Sequence, residues 1–346
     1  MKEGVMNPIE RTIRKVDRFQ QNSNRLGFIF GIIKKFGDDQ GGNLAGLFTF
    51  FGFTSMFPLL LLVVTLFGLI LGNHAALTQR ILHSAASQIP VLGSQLSNNI
   101  HALNRKSPLA LITGIVGLLL GSQGASQTSQ YAMAQVWNIP MTGRPNYVSR
   151  LKKTAELFFL LGIFFLAGSV LSGFSSIASK YIPLRILALV LSVVINIALF
   201  LSAFRVLTPK SIPTRYFYPG AIVAGIAWTL VQLLGGYLVG HTLKHASQVY
   251  GFFAIVLGIL SWIYLGARIL VYSAEINVVL ARRLWPRSIV QPPYTRADKE
   301  VLIALGKEQD RSAHENIDIK FDETAQSGKN QDPSEKEEGA KEPKSR

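Results

Sequence analysis

Acidic residues are almost absent from the middle of this 346-residue sequence. Thirteen of its twenty Asp and Glu residues lie in residues 297–346 and five more in residues 1–43, which leaves only Glu156 and Glu275 between these ends. About a quarter of the residues of a soluble domain are charged. The middle of the chain is therefore excluded from the soluble class, and the net charge of +15 does not point first to a nucleic-acid-binding protein.

The sequence also lacks the common motifs of catalysis and metal binding. It contains no cysteine, no phosphate-binding G-x-x-x-x-G-K-[S/T] loop and no G-x-S-x-G nucleophile elbow. His241 and His245 have the i,i+4 spacing of a metal pair on a helix, but no acid or cysteine lies near enough in sequence to complete a site. We therefore predict no enzymatic activity, no cofactor and no metal site.

Six long stretches without a charged residue divide the middle of the chain. They cover residues 40–79, 107–143, 157–179, 186–204, 216–243 and 245–267. Each can supply the roughly 20 apolar residues with which a helix crosses about 30 Å of hydrocarbon, and a helix satisfies its own backbone where water is absent. The sequence therefore predicts an all-α, polytopic membrane protein with six transmembrane helices. We place the spans near residues 46–72, 108–130, 155–178, 185–206, 217–240 and 249–275.

Lys and Arg residues are distributed unevenly between the predicted loops. Eight lie in the first 43 residues, four in the link between the second and third spans, and three in the link between the fourth and fifth. The alternate loops are poorer in them for their length. Because the cytoplasmic loops of membrane proteins carry the excess of Lys and Arg, we expect a multi-pass protein with both termini in the cytoplasm.

The two ends of the chain differ from the predicted membrane domain, residues 44–285. In residues 1–43, Ile13, Val16 and Phe19 recur at helical spacing among Arg and Lys. This pattern predicts an N-terminal amphipathic helix on the anionic lipids of the inner leaflet. Residues 286–346 are predicted to be a largely disordered cytoplasmic tail, because their few large apolar residues cannot offset the entropy of ordering. The tail is a candidate for binding a protein partner.

Polar side chains occur in the spans, where lipid disfavours them. They are Gln123, Ser126, Gln127 and Gln130 in the second span, Glu156 and Arg205 at the inner ends of the third and fourth, and Arg268, Glu275 and Asn277 in the sixth. The alternating direction of the spans places all of them at a similar depth near the cytoplasm. Because a charge near the bilayer centre costs on the order of 3 kcal/mol, we predict that they line an inward-opening polar cavity.

Two alternatives remain open from the residues alone. Arg268 and Glu275 lie seven residues apart on one helix, so they can instead form a buried brace, with Glu156 merely at the membrane interface. Pro58 removes a backbone hydrogen bond from the first span and is expected to kink it. The kink either acts as a hinge or only determines the shape of the helix.

Three stretches resemble the YihY/BrkB family of bacterial inner-membrane proteins, formerly called ribonuclease BN. The first is Thr54-Ser-Met-Phe-Pro-Leu-Leu-Leu-Leu, and the second runs from Gly121-Ser-Gln-Gly-Ala-Ser-Gln-Thr to Val136-Trp-Asn-Ile-Pro. The third combines Tyr250-Gly-Phe-Phe-Ala, Trp262-Ile-Tyr-Leu and Ala274-Glu-Ile-Asn. The resemblance implies six transmembrane helices in a bacterial cytoplasmic membrane. Members of the family are associated with serum resistance and envelope lipid transport.

Three classes of function remain. A polar inner-leaflet cavity with a basic rim favours a transporter or flippase that moves an anionic amphiphile or lipid. A non-catalytic scaffold for envelope assembly is the alternative, in which the polar groups serve only packing. A membrane ribonuclease is the least favoured, because phosphodiester cleavage usually needs clustered carboxylates or histidines around a metal.

Overall fold

In the computed structural model, residues 8–70, 108–178, 181–238, 252–312 and 317–321 are described, and their regular structure is helical. The helices in these ranges are α1 (Pro8–Asn22), α2 (Asn24–Asp38), α3 (Gly41–Ile70), α4 (Pro108–Val136), α5 (Tyr147–Ala178), α6 (Ile182–Leu207), α7 (Tyr218–Leu238), α8 (Phe252–Arg282) and α9 (Arg296–Glu308). Two short 3₁₀ turns, Met141–Gly143 and Thr214–Phe217, precede α5 and α7. The all-helical fold predicted from the sequence is confirmed for the described residues.

Local sequence sets several of the helix ends. The Ser23 side chain caps the first turn of α2, and a proline in the first turn of α6 supplies a preset φ and needs no hydrogen-bond partner there. α9 begins with a capping box, in which Thr295 and Asp298 each accept a hydrogen bond from the other's backbone N–H. These signals fix where the chain turns at the ends of the bundle.

Two long helices end on residues with a left-handed backbone. Asn138 (φ 46°) follows α4 and Arg283 (φ 54°) follows α8. After each of them the chain closes back on the helix, with Ile139 N–H donating to the Ala134 carbonyl (2.8 Å) and Leu284 N–H donating to the Val279 carbonyl (3.1 Å). This geometry satisfies orphan carbonyls at the helix ends, and it turns Asn138 toward α2 and the chain after Arg283 toward the N-terminus.

Four helices are long and apolar enough to cross a membrane among the residues described. These candidate spans are Tyr147–Leu171, Ile182–Leu207, Thr214–Gly235 and Val256–Arg282. They correspond to the last four predicted spans. Large apolar side chains on their surfaces face outward, among them Phe159 (74% exposed) and Val170 (75% exposed), which suits lipid contact. α3 and α4 lie where the first two spans were predicted, and six crossings stay a prediction.

Helix α8 is the centre of the packing. It packs against α2, α3, α4 and α7, while α5 packs on α6 and α6 on α7. The tightest part of the core surrounds the C-terminal half of α8, where Val136, Phe204, Phe217 and Val278 are at most 1% exposed. We call this end of the bundle, where α4, α6 and α8 finish and α3, α5 and α7 begin, the basal end. The apolar core thus closes the bundle at its basal end.

The chain that follows α8 returns to the N-terminal helix α1. Asp17 accepts hydrogen bonds from the backbone N–H groups of Ile289 (3.0 Å) and Val290 (3.4 Å), and Gln20 donates to the Arg287 carbonyl (2.6 Å). Burial alone would raise the pKa of the Asp17 carboxyl, but these hydrogen bonds outweigh it and hold the pKa below its usual value. The polar face of α1 is therefore turned toward the protein.

A second anchor joins the same segment to α2. The Asp298 carboxylate, which has no exposed surface, accepts from the Lys34 ammonium (2.9 Å) and the Arg287 guanidinium (2.6 Å), and Arg287 also reaches Asp38 (2.8 Å). Burial would raise the pKa of Asp298, but hydrogen bonds from Ser288, Arg287 and Lys34 lower it well below its usual value. We call residues 283–298, with these contacts to α1 and α2, the terminal clamp.

The structure differs here from the disordered tail predicted for residues 286–346. Residues 296–308 form α9, and Ala297 and Val301 of this helix are buried in the core of the basal end. The prediction rested on the small number of large apolar residues in this segment. It did not include the possibility that buried charges, paired with residues far away in sequence, anchor the segment instead. The division into domains 1–43, 44–285 and 286–346 otherwise stays a prediction, and residues 322–346 lie outside the described part of the chain.

Candidate functional site

Polar side chains of α4 meet the first turns of α5 in a narrow seam. Ser126 and Thr154 are hydrogen-bonded through their hydroxyls (2.8 Å), and the Gln130 amide donates to Ser126 (3.3 Å), Thr154 (3.4 Å) and the Arg150 carbonyl (3.2 Å). Ser126 and Gln130 are buried in this contact. Two of the predicted site residues thus bind one helix to the next instead of facing α8.

Beside the seam lies a small recess that opens between α4 and α5. Its enclosed volume is about 10 Å³, room for roughly one water molecule, and it is lined by Gln123, Gln127, Tyr147, Arg150, Leu151 and Thr154. The Gln123 amide donates to the Tyr147 hydroxyl (3.2 Å) at the rim. Its lining residues carry amide and hydroxyl groups and include one arginine, so its mouth can bind a small anionic or strongly hydrogen-bonding group. We call it the α4–α5 recess.

Glu275 lies in a different place, within a cluster of buried charges. The side chains of Lys35, Asp39 and Glu275 all have no exposed surface. The Lys35 ammonium is paired with Asp39, donates to the Val136 carbonyl (3.2 Å) and lies 3.8 Å from a carboxylate oxygen of Glu275. Both Lys35 and Asp39 belong to residues 1–43, for which the sequence predicts an amphipathic segment on the inner leaflet. Their i,i+4 spacing was the signal that could have indicated a pair.

The cluster continues to the rim through Asn138 and Glu308. The Asn138 amide donates to Asp39 (3.3 Å) and to Glu308 (3.2 Å), and the Arg144 guanidinium binds the other oxygen of Glu308 (2.9 Å). Burial raises the pKa of the Glu308 carboxyl, against the lowering effect of Asn138 and Arg144. We call Lys35, Asp39, Asn138, Glu275 and Glu308 the buried charge cluster. It joins α2, α4, α8 and α9 at the basal end.

Arg268 is held by aromatic rings. Its guanidinium lies 5.5–5.8 Å from the ring centres of Phe36, Tyr264 and Tyr272 and donates to the Tyr272 hydroxyl (3.3 Å). Phe36 and Tyr272 are themselves stacked at 3.9 Å. Cation–π contacts of this kind stabilise a desolvated cation without a carboxylate. No ion pair joins Arg268 to Glu275 among the described residues, so the brace considered from the sequence is absent.

The remaining predicted site residues have other roles in the structure. Glu156 is exposed on α5, and the Arg205 guanidinium donates to the Ile212 carbonyl (3.3 Å). Asn277 accepts from the backbone N–H of Gly220 (2.7 Å), where α7 crosses α8 so closely that a Cβ on Gly220 would meet the Ser273 carbonyl at 2.1 Å. Asn277 therefore fixes a helix crossing.

The predicted single cavity is thus divided into two separate groups of side chains. Gln123, Ser126, Gln127 and Gln130 contact α5, whereas Glu275 contacts α2. Pro58 lies within the continuous helix α3, and its role as a hinge stays a prediction. In the ranges that the structure describes, no group of three or more His, Cys, Asp or Glu side chains is arranged to hold a metal ion. His241 and His245 lie outside those ranges.

Comparison with known proteins places the sequence among inner-membrane proteins. It matches the model of the family described as virulence factor BrkB over residues 32–295. The inner membrane protein YhjD of Escherichia coli (strain K12) is 24% identical over 261 residues, which cover 70% of this chain and 77% of that protein. YfkH of Bacillus subtilis (strain 168), whose name describes it as ribonuclease-like, is 32% identical over 83 residues, covering 24% of this chain and 30% of that protein. No solved structure gives a significant match.

Proposed function

The chain belongs to the virulence factor BrkB family of integral inner-membrane proteins, and from that premise we propose that it transports an anionic amphiphile or lipid across the bacterial plasma membrane. The observation that carries this proposal is the α4–α5 recess, a polar site lined in part by Arg150, whose guanidinium also donates to the Pro145 carbonyl (3.0 Å), and which lies beside an apolar helix surface. The membrane placement supports it further.

The proposed membrane placement has six crossings. α3 and α4 contain 30 and 29 residues, so at 1.5 Å per residue each is about 45 Å long and can cross the bilayer beside the four candidate spans. The basal end faces the cytoplasm in this arrangement, because Arg and Lys residues are concentrated there. They include Arg144, Arg150, Lys152, Lys153, Arg205, Lys210 and Arg215.

The N-terminal helices lie on the inner leaflet in this arrangement. Val16 and Phe19 of α1 are 53% and 69% exposed, and Ile29 and Ile33 of α2 are 53% and 52% exposed. The polar face of α1 contacts the terminal clamp, so the apolar face of this helix points away from the protein. Arg and Lys residues beside it, such as Arg18, suit the headgroups of anionic lipids.

The α4–α5 recess would bind a headgroup at its open mouth, because its interior has room only for a water-sized group. Arg150 and the surrounding hydroxyl and amide groups can bind a phosphate or carboxylate. Phe158, Leu161 and Phe165 follow Thr154 at i+4, i+7 and i+11 on α5, so they continue the same face of the helix toward the membrane interior. These three side chains are 36–41% exposed. A headgroup in the recess would therefore place its acyl chains along an apolar stripe.

Transport requires the basal end to open. Core side chains and the buried charge cluster close it in this structure, so we interpret the structure as a closed state. Opening would separate α2 and α9 from α8 and expose Glu275 to water, as ionisable side chains on transport pathways require. Pro58 removes a backbone hydrogen bond in α3 and is the proposed hinge for this motion.

Lipid transport by the purified full-length protein in liposomes tests the proposal. The assay follows fluorescent phosphatidylglycerol, with zwitterionic phosphatidylcholine for comparison. Loss of one charge-assisted hydrogen bond, about 1.5–3 kcal/mol, predicts that Arg150→Ala slows transport of the anionic lipid by roughly 10- to 100-fold. Arg150→Lys should keep part of the rate. Lys152→Ala is the matched control, because Lys152 is exposed two residues away and does not line the recess.

Two results would contradict the proposal. One is equal transport by Arg150→Ala and Lys152→Ala. The other is no transport of anionic lipid by the folded parent protein, which would favour a non-catalytic scaffold for envelope assembly. The closed basal end is the specific observation that favours this second candidate. Gln127→Leu removes a polar side chain from the recess without removing a charge and checks the result if Arg150→Ala folds poorly.

We further propose that the protein is not a nuclease and does not bind nucleic acid. In the closed bundle Asp39 and Glu308 are bonded to Lys35, Asn138 and Arg144, and Glu275 has no exposed surface, an arrangement that leaves all three carboxyls inaccessible to a phosphodiester. Metal-dependent cleavage of RNA by the purified parent, abolished by Glu156→Gln, would overturn this proposal. A protein partner for residues 322–346 is also a proposal, testable by deleting that segment.

A further inference from the structure

We propose that Asp39 and Glu275 form a binding site for one proton, which the two carboxyl groups share in front of the Lys35 ammonium. The existence of this site does not depend on transport. Its use as the coupling site of the transporter rests on the function proposed above. The ligand class is a proton, because both groups are carboxyls, neither is exposed, and Lys35 is the cation that they contact. Arg282 acts on Asp39 electrostatically without an ion-pair contact.

The hydrogen bonds around the site leave one carboxyl group without a donor. Lys35 directs its ammonium to Asp39 and to the Val136 carbonyl (3.2 Å), and the Asn138 amide donates to the other oxygen of Asp39 (3.3 Å). Glu275 is 3.8 Å from the ammonium, beyond hydrogen-bond distance. Neither oxygen of Glu275 has a hydrogen-bond donor among the described residues. Asp39 and Glu275 therefore face the same ammonium, which is paired with Asp39 and lies 3.8 Å from Glu275.

A proton resolves this arrangement in both charge and hydrogen bonding. Two ionised carboxylates beside one ammonium leave one negative charge in excess, and an uncompensated buried charge is strongly destabilising. A proton on Glu275 removes that charge and provides the missing donor, which Asp39 accepts. Pairs of adjacent carboxyl groups that share one proton behave in this way because both cannot ionise together.

The other charged groups near the site have partners of their own. On α2, Lys34 binds Asp298, and Asp38 binds Arg287. On α8, Arg268 lies against aromatic rings, and Arg282 donates to the Trp137 carbonyl (2.6 Å). On α9, Glu308 is paired with Arg144, which also lies 5.2 Å from the ring centre of Tyr131 on α4. Lys35 is therefore the cation that the carboxyl pair contacts within the described structure.

The titration of Asp39 agrees with this geometry. Burial raises the pKa of the Asp39 carboxyl above its usual value, although the Lys35 ammonium and its hydrogen bond lower it in part. Asn138 links Asp39 to Glu308 and hence to the rim at Arg144. A change in protonation of the pair therefore reaches α9, the helix that would leave the basal end on opening.

Infrared spectroscopy of the full-length protein in lipid nanodiscs tests the proton site without a transport assay. The parent should show, near neutral pH, the carbonyl stretch of a protonated carboxylic acid, shifted in deuterated water. Glu275→Gln and Asp39→Asn should each abolish the same component of this band. Glu156→Gln, which changes an exposed carboxylate, is the matched control and should leave it unchanged. Lys35→Met leaves two carboxyls with no cation and should increase the band.

Each outcome bears on the proposal. A parent without a protonated carboxyl band near neutral pH, or a band that persists in both Glu275→Gln and Asp39→Asn, would overturn it. The Lys35→Met variant serves if either of those two folds poorly, since an unchanged band there also contradicts a shared proton. A band without lipid transport would keep the proton site and refute the proposed function. Lipid transport without the band would keep the proposed function and refute the proton site.

Discussion

Replacement of Asp298 by Asn should release the terminal clamp. The Asp298 carboxylate accepts six hydrogen bonds, from Lys34, from Arg287, and from the backbone and hydroxyl groups of both Ser288 and Thr295. Asn is nearly the same size, but it is neutral and turns an amide N–H₂ toward donors. The variant therefore removes the counter-charge that Lys34 and Arg287 share, and the buried Arg287 guanidinium keeps only Asp38 as an acidic partner.

The magnitude follows from the burial of this site. Side chains of Asp298 and Arg287 are 0% and 1% exposed. Removal of one partner from a buried ion pair typically costs about 3–5 kcal/mol. Because Lys34 retains some exposure and can reach water, we take the lower end, about 3 kcal/mol. At 1.4 kcal/mol for each factor of ten, local opening of the clamp should become roughly 100-fold more frequent.

Hydrogen exchange of the full-length protein in nanodiscs measures this opening. Exchange should accelerate by about that factor in the backbone of α9 and α1, which the clamp connects, and change little in the middle of α7. The control is Glu300→Gln, which breaks an exposed i,i+4 pair with Arg296 on the same helix, worth about 0.5 kcal/mol or less. Equal exchange in Asp298→Asn and Glu300→Gln would refute the idea that buried pairing, not local helix propensity, orders this segment.

Three further predictions concern stability in detergent or at low pH. Gly220→Ala should lower thermal stability strongly, because the new Cβ would meet a backbone carbonyl at 2.1 Å. Gly162→Ala is the control and should be neutral, because its Cβ would meet open space. Similar melting temperatures for the two variants would contradict the close crossing of α7 and α8. Asn196→Ala removes the bond to Thr229 (2.9 Å) between α6 and α7 and should cost about 0.6–2 kcal/mol, measured against Thr229→Ala in a double-mutant cycle. The folded state depresses the pKa of Asp298 below its usual 3.8. The contribution of the terminal clamp to the free energy of unfolding is therefore fully present above that pH and is lost as the pH falls below it. Loss of hydrogen-exchange protection in α9 already at mildly acidic pH would contradict this prediction.

The transmembrane helices could be located from the sequence because the constraint on them is local. Each segment must satisfy its backbone and present apolar side chains within its own length, so the uncharged stretches 157–179, 186–204, 216–243 and 245–267 locate α5 to α8 directly. The resemblance in the closing helix, Ala274-Glu-Ile-Asn277, also led to the family. These features need no knowledge of which helix lies beside which.

The polar contacts were less predictable because they depend on packing between distant segments. Lys35 and Glu275 are far apart in sequence, and Lys35 reads as a basic flank of an amphipathic helix until α2 is known to pack on α8. Asp298 reads as one of many charges in a tail. The capping box formed by Thr295 and Asp298 was the local signal that could have indicated a helix there.

The sequence by itself thus determined the membrane class, the positions of the apolar helices and the family of this protein, since hydrophobic length and local backbone satisfaction are properties of short segments. Only the tertiary structure decided which polar groups meet. The depth predicted for Gln130 and Glu275 from the sequence is compatible with one shared cavity, but the orientation of α4 and α8 about their axes directs these side chains to α5 and to α2. Orientation about a helix axis is set by the packing of neighbouring helices, and that information is distributed over the whole chain.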